Sequence, residues 1–121
     1  MSSFQRSLSE GVLVLDLQEE RRKAVMPGGH ERSGRALVRN GSLRVVMVVL
    51  APLGELPEHH AEGPIAVQPL QGRVRFIAGD KVYDIGPGEL LSAEGGIRHS
   101  VSSKDGATFL LTVVVNPDAE A

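Results

Sequence analysis

The chain has 121 residues, of which 41% are hydrophobic and 23% charged, and its formal net charge is −2. This length and composition are those of one soluble globular domain, and the small net charge provides no field that would draw the chain to nucleic-acid or membrane phosphates. The sequence contains no cysteine, which excludes disulfides, thiolate catalysis and cysteine-ligated zinc.

Residues 1–33 are predicted to form an N-terminal arm. The first residues lack the apolar segment and cleavage site of a signal peptide, so we expect a cytoplasmic protein. Residues 11–16 fit a short strand. Residues 16–26 contain good helix formers and open with Asp16, which is suited to cap a helix, and Pro27 stops any helix that reaches it. His30 also lies in this arm and is interpreted as a surface histidine.

From residue 34 onward, short β-rich runs alternate with turn signals, which is typical of an all-β sandwich or barrel. The predicted strands are residues 35–39, 43–50 and 64–71, a strand around residues 74–76, residues 82–85, a strand that begins at residue 90, and residues 97–102 and 108–115. Asn40 and Gly41 form a strong hairpin signal after the first of them. We therefore predict a β domain over residues 34–115, followed by a frayed tail at residues 116–121.

Three histidines of the β region, His59, His60 and His99, are candidate metal ligands. A barrel can bring distant strands together around its interior, and neutral imidazole is a good ligand for divalent first-row metals. Adjacent residues of a regular strand point to opposite faces, so His59 and His60 do not both face inward unless a bulge or loop intervenes. Which of the two faces the interior stays open at this point.

The segment around His99 resembles the second signature of the cupin superfamily. That signature reads Gly, five residues, Pro, one residue, Gly, two residues, His, three residues, Asn. Gly88, Gly96 and His99 match it in register, whereas Glu94 replaces the proline and Ser103 replaces the asparagine.

The first cupin signature, which supplies two histidines and a glutamate, is only partly present. Counting back from Gly72 places His59 on the first histidine position and Ala61 on the second, with Pro64 or Ile65 where the glutamate belongs. Counting forward from Gly54 instead places His60 on the first position and Glu62 on the second, and then no carboxylate occupies the glutamate position. Neither register restores three histidines and one glutamate. Residues 56–76 resemble a branch of the family in which a single histidine follows Pro-Glu, and this resemblance favours the register anchored on His59.

The resemblance covers roughly residues 34–115 and implies an all-β, double-stranded β-helix (jelly-roll) barrel like that of small single-domain RmlC-like cupins. It further implies a site in the mouth of the barrel, a small-molecule ligand and a homodimer. A divalent metal (zinc, iron, nickel or manganese) would be held by His59, His60 and His99, with Glu62 or water completing the set.

Three functions remain open from the sequence. The first is a metal-dependent enzyme of unassigned reaction, and the second is a metal-free module that binds or senses a small ligand. The third is a degenerate barrel that acts through protein contacts and exchanges its arm between subunits. Nucleic-acid and membrane partners are not expected. The side chains that alternation places toward the interior are Val67, Leu70, Val74, Phe76 and Leu91.

Overall fold

The computed structural model describes residues 11–24 and 31–116 of the chain. These residues contain one helix and nine strands. In chain order the elements are α1 (Leu17–Lys23), β1 (Arg32–Asn40), β2 (Leu43–Leu50), β3 (Gly54–His59), β4 (Ile65–Gln71), β5 (Val74–Ala78), β6 (Lys81–Ile85), β7 (Leu91–Ala93), β8 (His99–Ser103) and β9 (Ala107–Val114). No helix within these ranges is both long enough and apolar enough to cross a membrane.

The strands form two sheets. One has five strands in the order β1-β2-β9-β4-β7, and the other has four in the order β3-β8-β5-β6. All the strand pairs are antiparallel. The chain passes repeatedly from one sheet to the other, and its last strand, β9, lies between β2 and β4. This is a jelly-roll barrel, which confirms the predicted fold class.

The hydrophobic core fills the space between the two sheets. Strand β2 is rich in valine, and its alternate residues Val46, Val48 and Leu50 contribute to this core. The buried members are Val48, Leu50, Ile65, Val67, Val74, Phe76, Val101, Ala107 and Phe109. Removal of their apolar surface from water is the main force that holds the sheets face to face.

Helix α1 lies over the outer face of the five-stranded sheet. A second apolar cluster, made of Leu37, Met47 and Leu110, occupies this face, and Leu15 and Ala24 at the two ends of the helical segment pack against it. Met47 and Leu110 are cross-strand partners that point away from the main core. The helical segment, residues 15–24, therefore packs on the barrel.

A buried ion pair fixes the helix in this position. Glu20 has a relative exposure of 2%, and its Oε1 lies 3.1 Å from Nη2 of Arg35 on β1. The side chain of Asp16 accepts hydrogen bonds from the backbone N–H groups of Gln18 and Glu19, which confirms the predicted cap.

The predicted strands correspond closely to the observed ones, with two differences. Strand β3 is not among the predicted strands. It contains Pro57, which lacks the N–H that a regular ladder needs and is tolerated because β3 lies at the edge of its sheet. The short strand predicted at residues 11–16 is wrong, since only an isolated bridge at Val12 forms there. Residues 25–30, which include His30 and Pro27, lie outside the described residues.

Candidate functional site

Two histidines meet where β3 ends and β8 begins. His59 and His99 are direct cross-strand partners in the four-stranded sheet. Their ring centroids lie 4.4 Å apart, and the ring planes are inclined at 61°, an edge-to-face arrangement. Two residues that are distant in the chain are thus brought into contact at one end of the barrel.

A β-bulge decides which histidine of the adjacent pair reaches this site. Leu56 pairs with Val101, and the next cross-strand pair is His59 with His99. β3 therefore contains one more residue than β8 between these two pairs. Leu56 packs against the core, and in an unbroken strand a residue three positions later would point to the opposite face. The extra residue reverses the alternation and returns His59 to the side of His99.

Both imidazoles are oriented in the same way by the backbone. Nδ1 of His59 lies 2.8 Å from the carbonyl oxygen of Pro57, and Nδ1 of His99 lies 2.9 Å from that of Ile97. A carbonyl oxygen only accepts hydrogen bonds, so in each contact Nδ1 carries the proton. In the neutral rings Nε2 therefore keeps its lone pair and is a hydrogen-bond acceptor.

His99 is held in an apolar environment. Its relative exposure is 3%, and its ring stacks on Phe76 with a centroid distance of 4.6 Å and an interplanar angle of 19°. Burial lowers the pKa of His99, and the neighbouring His59 and His60 lower it further, whereas the hydrogen bond to the Ile97 carbonyl raises it. With its pKa lowered, His99 is a neutral acceptor at pH 7.

The fold is similar to that of several solved bacterial structures. A cupin superfamily protein from Desulfitobacterium hafniense gives a TM-score of 0.69 at 17% identity, over 77% of this chain and 83% of that one. A RmlC-like cupin from Desulfovibrio desulfuricans gives a TM-score of 0.68 at 23% identity, over 76% and 90%. The chain has the cupin fold. A conserved protein of unknown function from Streptococcus pyogenes is similar as well, with a TM-score of 0.72 at 24% identity over 92% and 96% of the two chains.

Sequence comparison is less informative than structural comparison for this chain. No protein-family model matches the sequence, and no curated protein matches it. Two of the similar structures carry named activities. One is a polyketide cyclase from Streptomyces resistomycificus, at 21% identity, and the other is an oxalate decarboxylase variant from Bacillus subtilis, also at 21% identity, of which this chain spans 26%. These reactions differ, so the cupin fold by itself selects neither.

The cupin-like glycines before His99 have a structural cause. Gly96 has φ of +84°, a conformation that favours glycine, and its N–H donates to the carbonyl of Ala61 at 2.8 Å. A Cβ on the preceding Gly95 would lie 2.3 Å from the carbonyl oxygen of Glu62. The loop before β8 therefore packs tightly against the loop after β3, and this contact fixes the entry of His99 into the barrel.

The two residues that precede the histidines form an ion pair which the sequence analysis missed. Nη2 of Arg98 lies 3.0 Å from Oε1 of Glu58, at the rim of the site. The two residues occupy diagonal positions of the antiparallel ladder, within reach of long side chains. Opposite charges on the residues before His59 and His99 were the available signal.

The other predicted site residues lie outside this contact. The side chain of His60 is 45% exposed, and its Nε2 is 3.8 Å from Oε1 of Glu62, whose side chain is 94% exposed. His30 falls outside the described residues. Of the predicted lining residues, Val67, Val74 and Phe76 are core side chains, Leu91 packs against that core, and Leu70 packs against the cluster beneath helix α1.

The described side chains do not fit a resident metal ion. Catalytic metal centres in proteins usually have three protein ligands. Within residues 11–24 and 31–116, no group of three histidine, aspartate or glutamate side chains could hold a metal ion. Ile65, one of the two residues at the position of the cupin glutamate, is an apolar core residue. What His59 and His99 offer instead is a pair of hydrogen-bond acceptors.

Proposed function

We propose that this cupin is a small-molecule binding protein whose ligand is held at the end of the barrel by His59 and His99 without a resident metal. One observation carries the proposal: two imidazoles in contact, each with Nδ1 bound to a backbone carbonyl and Nε2 left to a ligand. Preformed sites with a few fixed polar groups on an apolar base are typical of small-molecule binding.

The chemistry of the pair indicates the class of ligand. A neutral Nε2 accepts a hydrogen bond, so the ligand has to supply O–H or N–H donors at two neighbouring positions. A sugar-like polyol or a hydroxy acid has this character. His99 is buried and His59 is exposed, so a ligand reaches the site from the side of His59.

His59→Gln and His99→Gln are the direct tests of this site, with His60→Gln as the matched control. A thermal-shift screen of sugars and hydroxy acids in the presence of a chelator identifies a ligand, because a ligand that binds the native state raises its apparent stability. Titration calorimetry then measures affinity. We expect each of the two site variants to weaken binding about tenfold, the effect of one lost hydrogen bond, and His60→Gln to leave it unchanged.

The metal content of the purified protein tests whether ligand binding is independent of a metal. Stoichiometric metal in tag-free protein, or a ligand-induced shift that disappears on chelation, would contradict metal-free binding and support the enzyme hypothesis instead. The homodimer that the cupin resemblance implies stays a prediction, and the mass in solution by light scattering tests it.

A further inference from the structure

A second groove lies on the outer face of the four-stranded sheet, at the end of the barrel remote from the histidines. It has a volume of about 650 Å³ and is bordered by the turns that follow β2, β4 and β8. This is within the range of small-molecule sites. Ser103 of its lining is four residues along β8 from His99, which corresponds to roughly 13 Å of extended strand.

The groove belongs to the solvent face of the sheet. Phe76 and Val101 are cross-strand partners in the core, so their neighbours Arg75 and Ser102, which also pair with each other, point outward. Arg75 and Ser102 line the groove, together with Lys104 of the following turn. A ligand in this groove would not contact the histidine pair.

Two cations of the groove are available to a ligand. Arg73 is already engaged, with Nε 3.3 Å from Oδ1 of Asp84 and Nη2 3.2 Å from the Asp84 carbonyl. Arg75 has one long ion-pair contact, to Asp84 at 3.9 Å, and Lys104 has no ion-pair partner among the described residues. The lining also contains Asp105, an acidic residue of the same turn as Lys104.

One wall of the groove is an apolar side chain held by a strained backbone. Leu53 is the only described residue other than glycine with positive φ, at 65°, and its relative exposure is 78%. Its N–H donates to the carbonyls of Ser103 at 2.9 Å and Lys104 at 3.1 Å, which holds this conformation. Such strain costs free energy and is concentrated at functional sites.

We infer that this groove is a second binding site, for a small organic anion whose carboxylate or phosphate lies between Arg75 and Lys104 and whose apolar part lies against Leu53. A guanidinium group binds either anion through paired hydrogen bonds, and the Ser102 hydroxyl is placed to donate another. The turns that border the groove pack closely, since a Cβ on Gly72 would lie 2.3 Å from the carbonyl of Gly106. The backbone that borders the groove is thus held in place before a ligand binds.

Titration of isotope-labelled protein with hexanoate and with phenyl phosphate, followed by amide NMR signals, tests the inference and separates the two anion types. We expect saturable shifts at Leu53, Ser102 and Lys104 with at least one anion, and none with neutral hexanamide. No saturable shift with either anion, or shifts confined to His59 and His99, would overturn it.

Charge variants identify the groups responsible. Arg75→Gln and Lys104→Gln are expected to weaken binding about ten- to hundredfold, as loss of a hydrogen bond from a charged donor does. Asp105→Asn is expected to strengthen binding, because it removes a negative charge that repels the anion. A purely structural role of Asp105 would not produce this gain. Lys81→Gln, an exposed lysine on β6 outside the groove lining, is the matched control. Equal affinity of Lys104→Gln and Lys81→Gln for the anion would refute the site. His99→Gln is expected to leave anion binding in the groove unchanged.

Discussion

At the scale of single residues, the environment of His99 combines three features that seldom occur together. The imidazole is buried, it is stacked on Phe76, and it contacts a second imidazole. A positive charge on this ring would lose hydration and face another titratable ring without a carboxylate in hydrogen-bond contact among the described residues. The neutral form is therefore the one that the fold accommodates.

Stability is expected to depend on pH through His99. In the unfolded chain its pKa returns to about 6.5, and the folded value is lower, so below pH 6.5 the unfolded state binds more protons than the native state. The free energy of unfolding is thus highest above this pH and falls as the pH is lowered below it. Urea unfolding from about pH 8 to about pH 5 should show a steeper loss for the wild type than for His99→Gln. Equal slopes for the two proteins would contradict this assignment.

The sequence predicted His99 as a site residue from glycine spacing, and the family resemblance favoured the register anchored on His59. It left open which of His59 and His60 faces the interior. The choice depends on a bulge of one residue between Leu56 and His59, and strand alternation alone gives the opposite answer. Pro57 within this stretch indicated an irregular strand, but it did not indicate how many extra residues the irregularity contains. Side-chain orientation next to a bulge is a property of the pairing of two strands, which one strand's sequence does not contain.

At the scale of elements, helix α1 is short, and its position depends on contacts with the barrel. A helix of 7 residues is too short to persist alone in water. Its Asp16 cap was readable in the sequence, whereas its end at Lys23 was not, because Pro27 lies beyond it. What holds the helix is its apolar contact with the sheet and the ion pair between Glu20 and Arg35.

Glu20→Ala should destabilise the fold by about 3 kcal/mol, because it removes a buried carboxylate that pairs with Arg35 across the contact between the helix and the sheet. Glu19→Ala is the control on the same helix. Its carboxylate pairs with Arg22 at 2.7 Å, but the two side chains are 44% and 76% exposed, so we expect a cost below about 1 kcal/mol. Urea unfolding measures both. Similar costs for the two variants would indicate that the buried pair does not anchor the helix.

At the scale of the whole molecule, one core joins the two sheets, and Phe109 lies at its centre. The sequence predicted the strands through their alternation and the fold through a family resemblance. Alternation could not supply the order of strands in each sheet, since it states which face of a strand is buried but not which strand lies beside it. That information resides in contacts such as those of β9 with both β2 and β4.

Phe109→Ala is expected to lower the free energy of unfolding by about 4 kcal/mol, since it removes a fully buried ring and leaves a cavity between the sheets. Val114→Ala on the same strand is the control. Its side chain is 41% exposed, so its truncation should cost less than about 1 kcal/mol. Chemical unfolding compares them, and a small effect of Phe109→Ala would mean that the two sheets are not held by a common core.

The central position of β9 affects how the protein is made. Among the described strands β9 is synthesised after all the others, and it is the strand that the larger sheet needs at its middle, so until it emerges β2 and β4 have no partner on that side. Both strands are apolar and would expose unpaired backbone during synthesis, which is the condition that favours association with other nascent chains. Closure of the larger sheet therefore waits for β9, and a chain interrupted before β9 would leave the inner edges of β2 and β4 open.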